Sequence, residues 1–213
     1  AATPYIIKAR GNWKTIKAFV EKYAGRQERA LRLLSTLSDK DLRDMPMDIL
    51  EDNMNARSSQ LCPRVESEMI LAPYKSFFEK VFAKDSARFR KNPALLVEWI
   101  RKNIRMNPDG QAMRIPQTPI SVWKSRITDW RSRDIFFVDV ARSLDIEARM
   151  DAVTAKIQYR QGGKWVDVDF ESEAQQAAKT GRLVLNFRPD GFLDDPKYYS
   201  HFTISKIVNG RTW

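Results

Sequence analysis

DWRSRDIFFVDVARSLDIEAR, residues 129–149, is the stretch that decides the fold. Its polar start and the helical spacing of its apolar centre predict a loop, an amphipathic helix and the first residues of a strand. The first hundred residues have mostly helical spacing, whereas the residues after this helix alternate between apolar and polar side chains. The sequence therefore predicts an α+β fold with this helix at the junction of its two parts.

The composition sets the class of protein. The 213 residues, 43% hydrophobic and 11% aromatic, suffice to bury a core, which excludes wholesale disorder. No apolar run approaches the length of a membrane span, and the first residues lack the pattern of a signal peptide. The single cysteine, Cys62, excludes an intramolecular disulfide and a cysteine-based metal cluster. The last residues break off after a strand-like pattern, which predicts a cut inside a longer protein.

The N-terminal half predicts a succession of helices. Ser38 is expected to cap one helix, Pro46 to lie in the first turn of the next, and Asn92 to cap another. Two helical stripes are expected to be buried: Trp13, Ile16, Phe19, Val20 and Tyr23, and then Leu96, Trp99, Ile100 and Ile104. Residues 106–122 hold three prolines and one glycine, which predicts a long irregular connection. The predicted organisation is a helical part over residues 1–105, a core over 106–180 and extra β strands over 181–213, where a further element begins.

Residues 147–171 predict a strand followed by a β-hairpin whose two-residue turn is Gly162-Gly163. That turn sets Gln158 opposite Asp167, Lys156 opposite Asp169 and Thr154 opposite Glu171. One face of the hairpin then carries polar side chains: Thr154, Lys156, Gln158, Arg160, Asp167, Asp169 and Glu171. The other, more buried face carries Ala155, Ile157, Tyr159, Val166, Val168 and Phe170.

These segments resemble the transglutaminase-like (papain-type) superfamily of cysteine enzymes over residues 93–171. The helix end and the following strand match the family pattern at Arg142, Leu144, Ile146, Ala148 and Arg149. The hairpin matches it at Trp165 and Asp169, whereas Asp145 and Glu147 replace a glycine and a proline of the family. The resemblance implies a papain-type core in which an active-site helix packs on an antiparallel sheet.

The family spacing sets the catalytic cysteine at position 130 and the histidine at position 154, where this chain has Trp130 and Thr154. Indole has no nucleophilic heteroatom, and threonine does not titrate near neutral pH. The resemblance therefore implies a degenerate triad of which Asp169 alone is retained. With no histidine to orient, Asp169 is expected to pair with Lys156 across the hairpin.

The resemblance implies a catalytically inactive domain that serves as a binding or scaffold module for a peptide or glycan in a larger protein. The candidate ligand cleft consists of Trp130, Arg131, Ser132, Arg133, Lys156, Gln158 and Asp169. The amides at a helix start favour a ligand with an anionic group. Neither a cofactor nor a metal is expected. The family setting implies a bacterial protein that is secreted, periplasmic or on the cell surface.

Two other functions stay open. An active hydrolase or acyltransferase with an unorthodox nucleophile would use Ser132, Cys62 or residues outside this chain. Its base could not be His201, the one histidine, if that side chain faces outward from a strand as its spacing predicts. A basic nucleic-acid-binding module would follow from the net charge of +10, although the basic residues are spread among 27 acidic ones. The acidic ladder of the hairpin is expected to pair with Lys156 and Arg160, with calcium binding as its alternative.

Overall fold

The computed structural model describes residues 1–66, 68–70, 72–109, 114–171, 184–189, 191–193, 195–205, 207–208 and 211–212. The chain forms two compact units, Ala1–Glu171 and Ser172–Trp213. Helix and sheet are both present, so the predicted α+β class is confirmed. In the described part of the chain, no helix combines the length and apolar character that crossing a bilayer requires.

The helices are α1 (Thr3–Lys8), α2 (Trp13–Lys22), α3 (Gln27–Ser35), α4 (Asp39–Asp44), α5 (Met47–Asn55), α6 (Lys75–Val81), α7 (Ser86–Lys91), α8 (Ala94–Asn103), α9 (Pro119–Ser125) and α10 (Trp130–Ser143). The strands are β1 (Arg105–Met106), β2 (Ile127–Thr128), β3 (Ala148–Met150), β4 (Ile157–Gln161), β5 (Lys164–Asp167), β6 (Ile207–Val208) and β7 (Arg211–Thr212). The predicted long connection of residues 106–122 thus ends in α9, which Thr118 caps by accepting the amide of Ser121.

Helices α1–α5 enclose a first core, built mainly from Ile16, Phe19, Leu33, Leu34, Leu42, Ile49, Leu50 and Met54. The cap predicted at Ser38 is confirmed, because its hydroxyl accepts the Asp41 amide while the Asp41 carboxylate accepts the Ser38 amide. Trp13 departs from its predicted burial and stays 44% exposed. Asn92 does not cap α8 through its side chain; Pro93 occupies the cap position, and the Asn92 carbonyl accepts the Leu95 amide.

A second core forms around α10, and α6, α8 and the sheet β3–β4–β5 pack on it. Phe136 and Phe137 are fully buried, and every residue from Ile135 to Ser143 lies in the interior. The helix predicted as amphipathic is therefore buried on all sides after its first turns, as a central helix is. Burial of each phenylalanine side chain stabilises the fold by about 2 to 3 kcal/mol.

The hairpin has the predicted register. Gln158 pairs with Asp167, Tyr159 with Val166 and Arg160 with Trp165, and β3 completes the antiparallel sheet on the other side of β4. Gly162 and Gly163 have φ values of 56° and 79°, the left-handed conformation that a type I′ turn requires. A tight turn thus fixes which side chains share each face of this sheet.

The hairpin is shorter than predicted, however. Residues 151–156 form a loop between β3 and β4, in which the Asp151 carbonyl accepts the Ala155 amide and Ala155 has a φ of 55°. The other strand ends at Asp167. Thr154 and Asp169 consequently lie outside the strands, so the predicted pairs Lys156–Asp169 and Thr154–Glu171 are not part of the ladder.

In the second unit, β6 pairs antiparallel with β7. The alternating sequences GRLVLNFRP (181–189) and KYYSHFTISKIVNGR (197–211) predict two strands here. The described residues 184–189 form no strand, while part of each predicted segment lies outside the described residues. The exposed His201 accepts the Lys197 amide through its Nδ1 at 2.9 Å, inside a turn rather than a strand.

Candidate functional site

The start of α10 is built around Asp129, which caps the helix. One carboxylate oxygen of Asp129 accepts the Ser132 amide at 3.0 Å, and the other accepts the Ser132 hydroxyl at 2.7 Å. The Ser132 hydroxyl also accepts the Gln117 amide at 3.0 Å, and Ser132 is fully buried. The hydroxyl that was the alternative nucleophile is therefore committed to holding the helix start.

Trp130 is the first residue of α10, the position that the family spacing assigns to the nucleophile. It is 44% exposed, so the indole lies at the surface of the helix start. An exposed indole offers a flat apolar surface and an N–H donor, which suits binding.

The two arginines of the predicted cleft are both engaged within the protein. Arg131 donates to Glu66 at 2.9 Å. Arg133 lies over the ring of Phe170, with its guanidinium carbon 4.2 Å from the ring centroid, and is 3.7 Å from Asp134. Burial lowers the pKa of Arg133, and it raises the pKa of Asp134 to about 6. These side chains fix the helix against its neighbours.

The remaining cleft residues are not assembled as predicted. The Thr154 amide and hydroxyl donate to the Asp151 carboxylate at 2.9 and 2.8 Å. Lys156 donates to Asp167 at 2.7 Å and not to Asp169, so the predicted pair is wrong. The physical reason is that the strands stop before Asp169, whose carboxylate instead accepts the Glu171 amide at 2.7 Å.

A different cluster forms on the exposed face of the sheet. The guanidinium of Arg149 lies 4.1 Å from the ring centroid of Trp165, which is 36% exposed. Arg149 donates to Gln158 at 3.1 Å, and Gln158 donates to Asp167 at 2.8 Å. We refer to Arg149, Gln158, Trp165 and Asp167, with Lys156, as the Trp165 face. Of these five, the predicted cleft contained Lys156 and Gln158 but not Arg149, Trp165 or Asp167.

The missed residues could have been found from strand pairing. The hairpin register puts Trp165 one step diagonally from Gln158, but Arg149 joins them only through the pairing of β3 with β4. The register of β3 against β4 depends on the length of the 151–156 loop. The sequence predicts a strand over part of this loop, so it does not give that register.

Arg142, the arginine of the family pattern, ties three segments together. Its Nε donates to the Ala148 carbonyl at 2.9 Å, and one terminal nitrogen donates to the Arg64 carbonyl at 2.7 Å. Leu144, Ile146 and Ala148 are buried, and Asp145 occupies the family's glycine position with a φ of 63°. The matching residues thus hold the fold, and a left-handed backbone explains why a glycine would suit position 145.

Polar groups are also buried behind α10. Lys75 is fully buried, its ammonium group contacts the Gln60 carbonyl, and burial lowers its pKa to about 7. Asp139 is 1% exposed, and burial raises the pKa of its carboxyl well above the ordinary value. Cys62 is half-buried, and its sulfur lies 3.2 Å from the Arg64 carbonyl oxygen. Within the described part of the chain, no cluster of three or more histidine, cysteine or acidic side chains could hold a metal ion.

Neither the scan of protein-family models nor the searches of curated proteins and of solved structures find a match to this chain. The resemblance to transglutaminase-like domains is therefore carried by the sequence motifs alone.

Proposed function

We propose that this chain is a catalytically inactive transglutaminase-like module that binds a glycan or peptide within a larger protein. The observation that carries the proposal is the helix start, where an exposed Trp130 occupies the nucleophile position and the neighbouring Ser132 hydroxyl is buried against Asp129. Thiolate chemistry has no cysteine at this position, and deprotonating Ser132 would disrupt the helix cap. The family setting adds that the parent protein is bacterial and secreted or at the cell surface.

The Trp165 face supports a glycan as the ligand. Sugar rings stack on a flat indole, while their hydroxyls exchange hydrogen bonds with planar amide, guanidinium and carboxylate groups. Trp165 is exposed and is bordered by Arg149, Gln158 and Asp167, which carry all three of these groups. Hydrogen bonds among these side chains hold them in place before a ligand arrives, which lowers the entropic cost of binding.

The test combines a binding measurement with an activity measurement. Calorimetric titration with neutral hexasaccharides of cellulose, xylan and chitin is expected to find at least one ligand, and Trp165→Ala is expected to weaken its binding at least tenfold. Trp13→Ala is the matched control, because Trp13 is also exposed, at 44%, but lies on α2. Trp130→Ala measures whether the ligand reaches the helix start.

The activity measurement follows ammonia release from a glutamine-containing peptide. We expect no release above the buffer rate. Turnover that Ser132→Ala or Cys62→Ala abolishes would overturn the proposal in favour of an enzyme with an unorthodox nucleophile. Equal affinity of wild-type protein and Trp165→Ala for the ligand would contradict the role proposed for the Trp165 face.

A further inference from the structure

A continuous groove runs along the segment 57–62, and none of its lining residues belongs to the Trp165 face. It comprises three surface depressions of about 320, 540 and 600 Å³. The first two share Ser59 and Gln60 as lining residues, and the second and third share Arg90 and Asp145. We call this feature the Arg90 groove. The volumes are in the range of sites that hold several units of a small oligomeric ligand.

The carboxylates that line the groove are already engaged with protein groups. Glu79 accepts the backbone amides of Arg57 and Ser58 at 2.7 and 3.1 Å. Asp145 accepts the Ser59 amide and hydroxyl, both at 2.7 Å. Backbone and hydroxyl donors of residues 57–59 therefore compensate the negative charge of Glu79 and Asp145. The same hydrogen bonds hold this segment in place, and the segment forms the wall of the groove.

Arg160, which lines the second depression, is paired with Glu147 at 3.1 Å, whereas three other cations of the groove lack such partners. Arg57, Lys80 and Arg90 are exposed, and none of them forms an ion pair among the described residues. Arg90 donates one weak hydrogen bond, of 3.4 Å, to the Leu144 carbonyl. Most of the N–H donors of its guanidinium group therefore remain available to a ligand. The groove consequently presents a local excess of positive charge, unlike the chain as a whole, in which acidic and basic residues are interleaved.

The uncharged side chains that line the groove also indicate which kind of ligand it binds. Hydroxyl and amide side chains predominate there, including Asn55, Gln60, Ser76 and Ser86, and no aromatic side chain lines the three depressions. Single-stranded nucleic acid is bound chiefly by stacking on aromatic rings, which this groove does not offer. Hydroxyl and amide groups beside a guanidinium match a polyhydroxylated ligand with planar anionic substituents.

We propose that the Arg90 groove binds an acidic oligosaccharide, with Arg90 and Lys80 recognising its carboxylate or sulfate groups. This site is distinct from the Trp165 face and does not depend on the function proposed for that face.

The proposal is tested by calorimetric titration of the whole chain with oligogalacturonate and with a sulfated dextran oligomer, against neutral dextran of equal length. The anionic probes are expected to bind and neutral dextran is not, and the stronger of the two identifies carboxylate or sulfate as the group recognised. The double variant Arg90→Gln/Lys80→Gln is expected to weaken binding at least tenfold and to reduce its dependence on salt.

Lys40→Gln/Lys124→Gln is the matched control, because it removes the same charge from exposed residues outside the groove. Thermal unfolding of both double variants verifies that they fold. An equal loss of affinity in the control would overturn the proposal in favour of unspecific charge attraction. Tighter binding of polyuridine or of polyglutamate would likewise overturn it, in favour of a nucleic-acid or an acidic-peptide site.

Discussion

The Ser132 hydroxyl donates a hydrogen bond of 2.7 Å to the Asp129 carboxylate, which also accepts the Ser132 amide. We expect Asp129→Ala to lower the free energy of unfolding by about 2 kcal/mol, because it removes a helix cap and leaves a buried hydroxyl without its acceptor. Urea unfolding measures the change. Asp44→Ala, at an exposed position on α4, is the control and is expected to stay within about 0.5 kcal/mol of wild type. Equal effects of the two substitutions would contradict the role assigned to Asp129.

The buried Lys75 makes stability depend on pH. Burial first, and then the nearby Arg142, lower its pKa from 10.5 to about 7, against the opposing effects of Cys62, Asp139 and Asp52. Between these two pH values the unfolded chain binds more protons at this lysine than the folded chain does. Stability from this group therefore rises with pH through that window, by on the order of 2 kcal/mol between pH 7 and pH 9.

Lys75→Met isolates this contribution, because it keeps the length of the side chain and removes the amine. We expect the stability of wild type relative to Lys75→Met to increase between pH 7 and pH 9 in urea unfolding. Lys124→Met, at an exposed lysine, should show no such trend relative to wild type. A constant difference between wild type and Lys75→Met across this range would mean that Lys75 is charged in the folded protein.

Installing the residues that the resemblance implies at positions 130 and 154 tests whether this scaffold can hold a triad. We expect Trp130→Cys/Thr154→His to release no ammonia from a glutamine peptide, because position 154 lies in the 151–156 loop, where Thr154 is bonded to Asp151. The strand also ends at Asp167, so no ladder sets Asp169 across from the new histidine. Alkylation of the new thiol by iodoacetamide is the control for its accessibility, and measurable turnover would contradict the loop geometry.

The hairpin turn is expected to be sensitive to residue type. Gly163 has a φ of 79°, so Gly163→Val should destabilise the chain by about 1 to 2 kcal/mol, because a β-branched residue is strained there. Gly162→Asn should be tolerated, since asparagine adopts the left-handed conformation readily. Thermal unfolding of both variants checks this, and an equal effect of the two would contradict the assigned turn type.

Features set by neighbouring residues could be predicted from the sequence. The Ser38 cap and the register from Gly162-Gly163 depend on short-range chemistry, and both are confirmed. The loop at Thr154 was missed although Asp151, three residues earlier, could have indicated it: an aspartate that accepts the amide and hydroxyl of a following threonine favours a turn over a strand.

Long-range packing accounts for the rest. The burial of Asp139 and Arg142 on α10 depends on distant residues, because Arg142 donates to the Arg64 carbonyl and Lys75 lies near both side chains. No local pattern in residues 129–149 indicates that distant residues cover this helix, so the sequence predicts a polar face for it. The Trp165 face and the Arg90 groove likewise consist of residues that are far apart in the chain, so local sequence patterns do not predict these surfaces.

The hydrogen bonds from Arg142 to the Ala148 and Arg64 carbonyls separate positions that hold the architecture from positions that are free to vary. Arg142, Leu144, Ile146 and Ala148 are buried, whereas Trp130 and Thr154 are exposed. Exposed positions such as these can change without disturbing the core, so one scaffold tolerates different surface chemistry. Similarity at the buried positions therefore reports architecture, whereas activity depends on the exposed side chains.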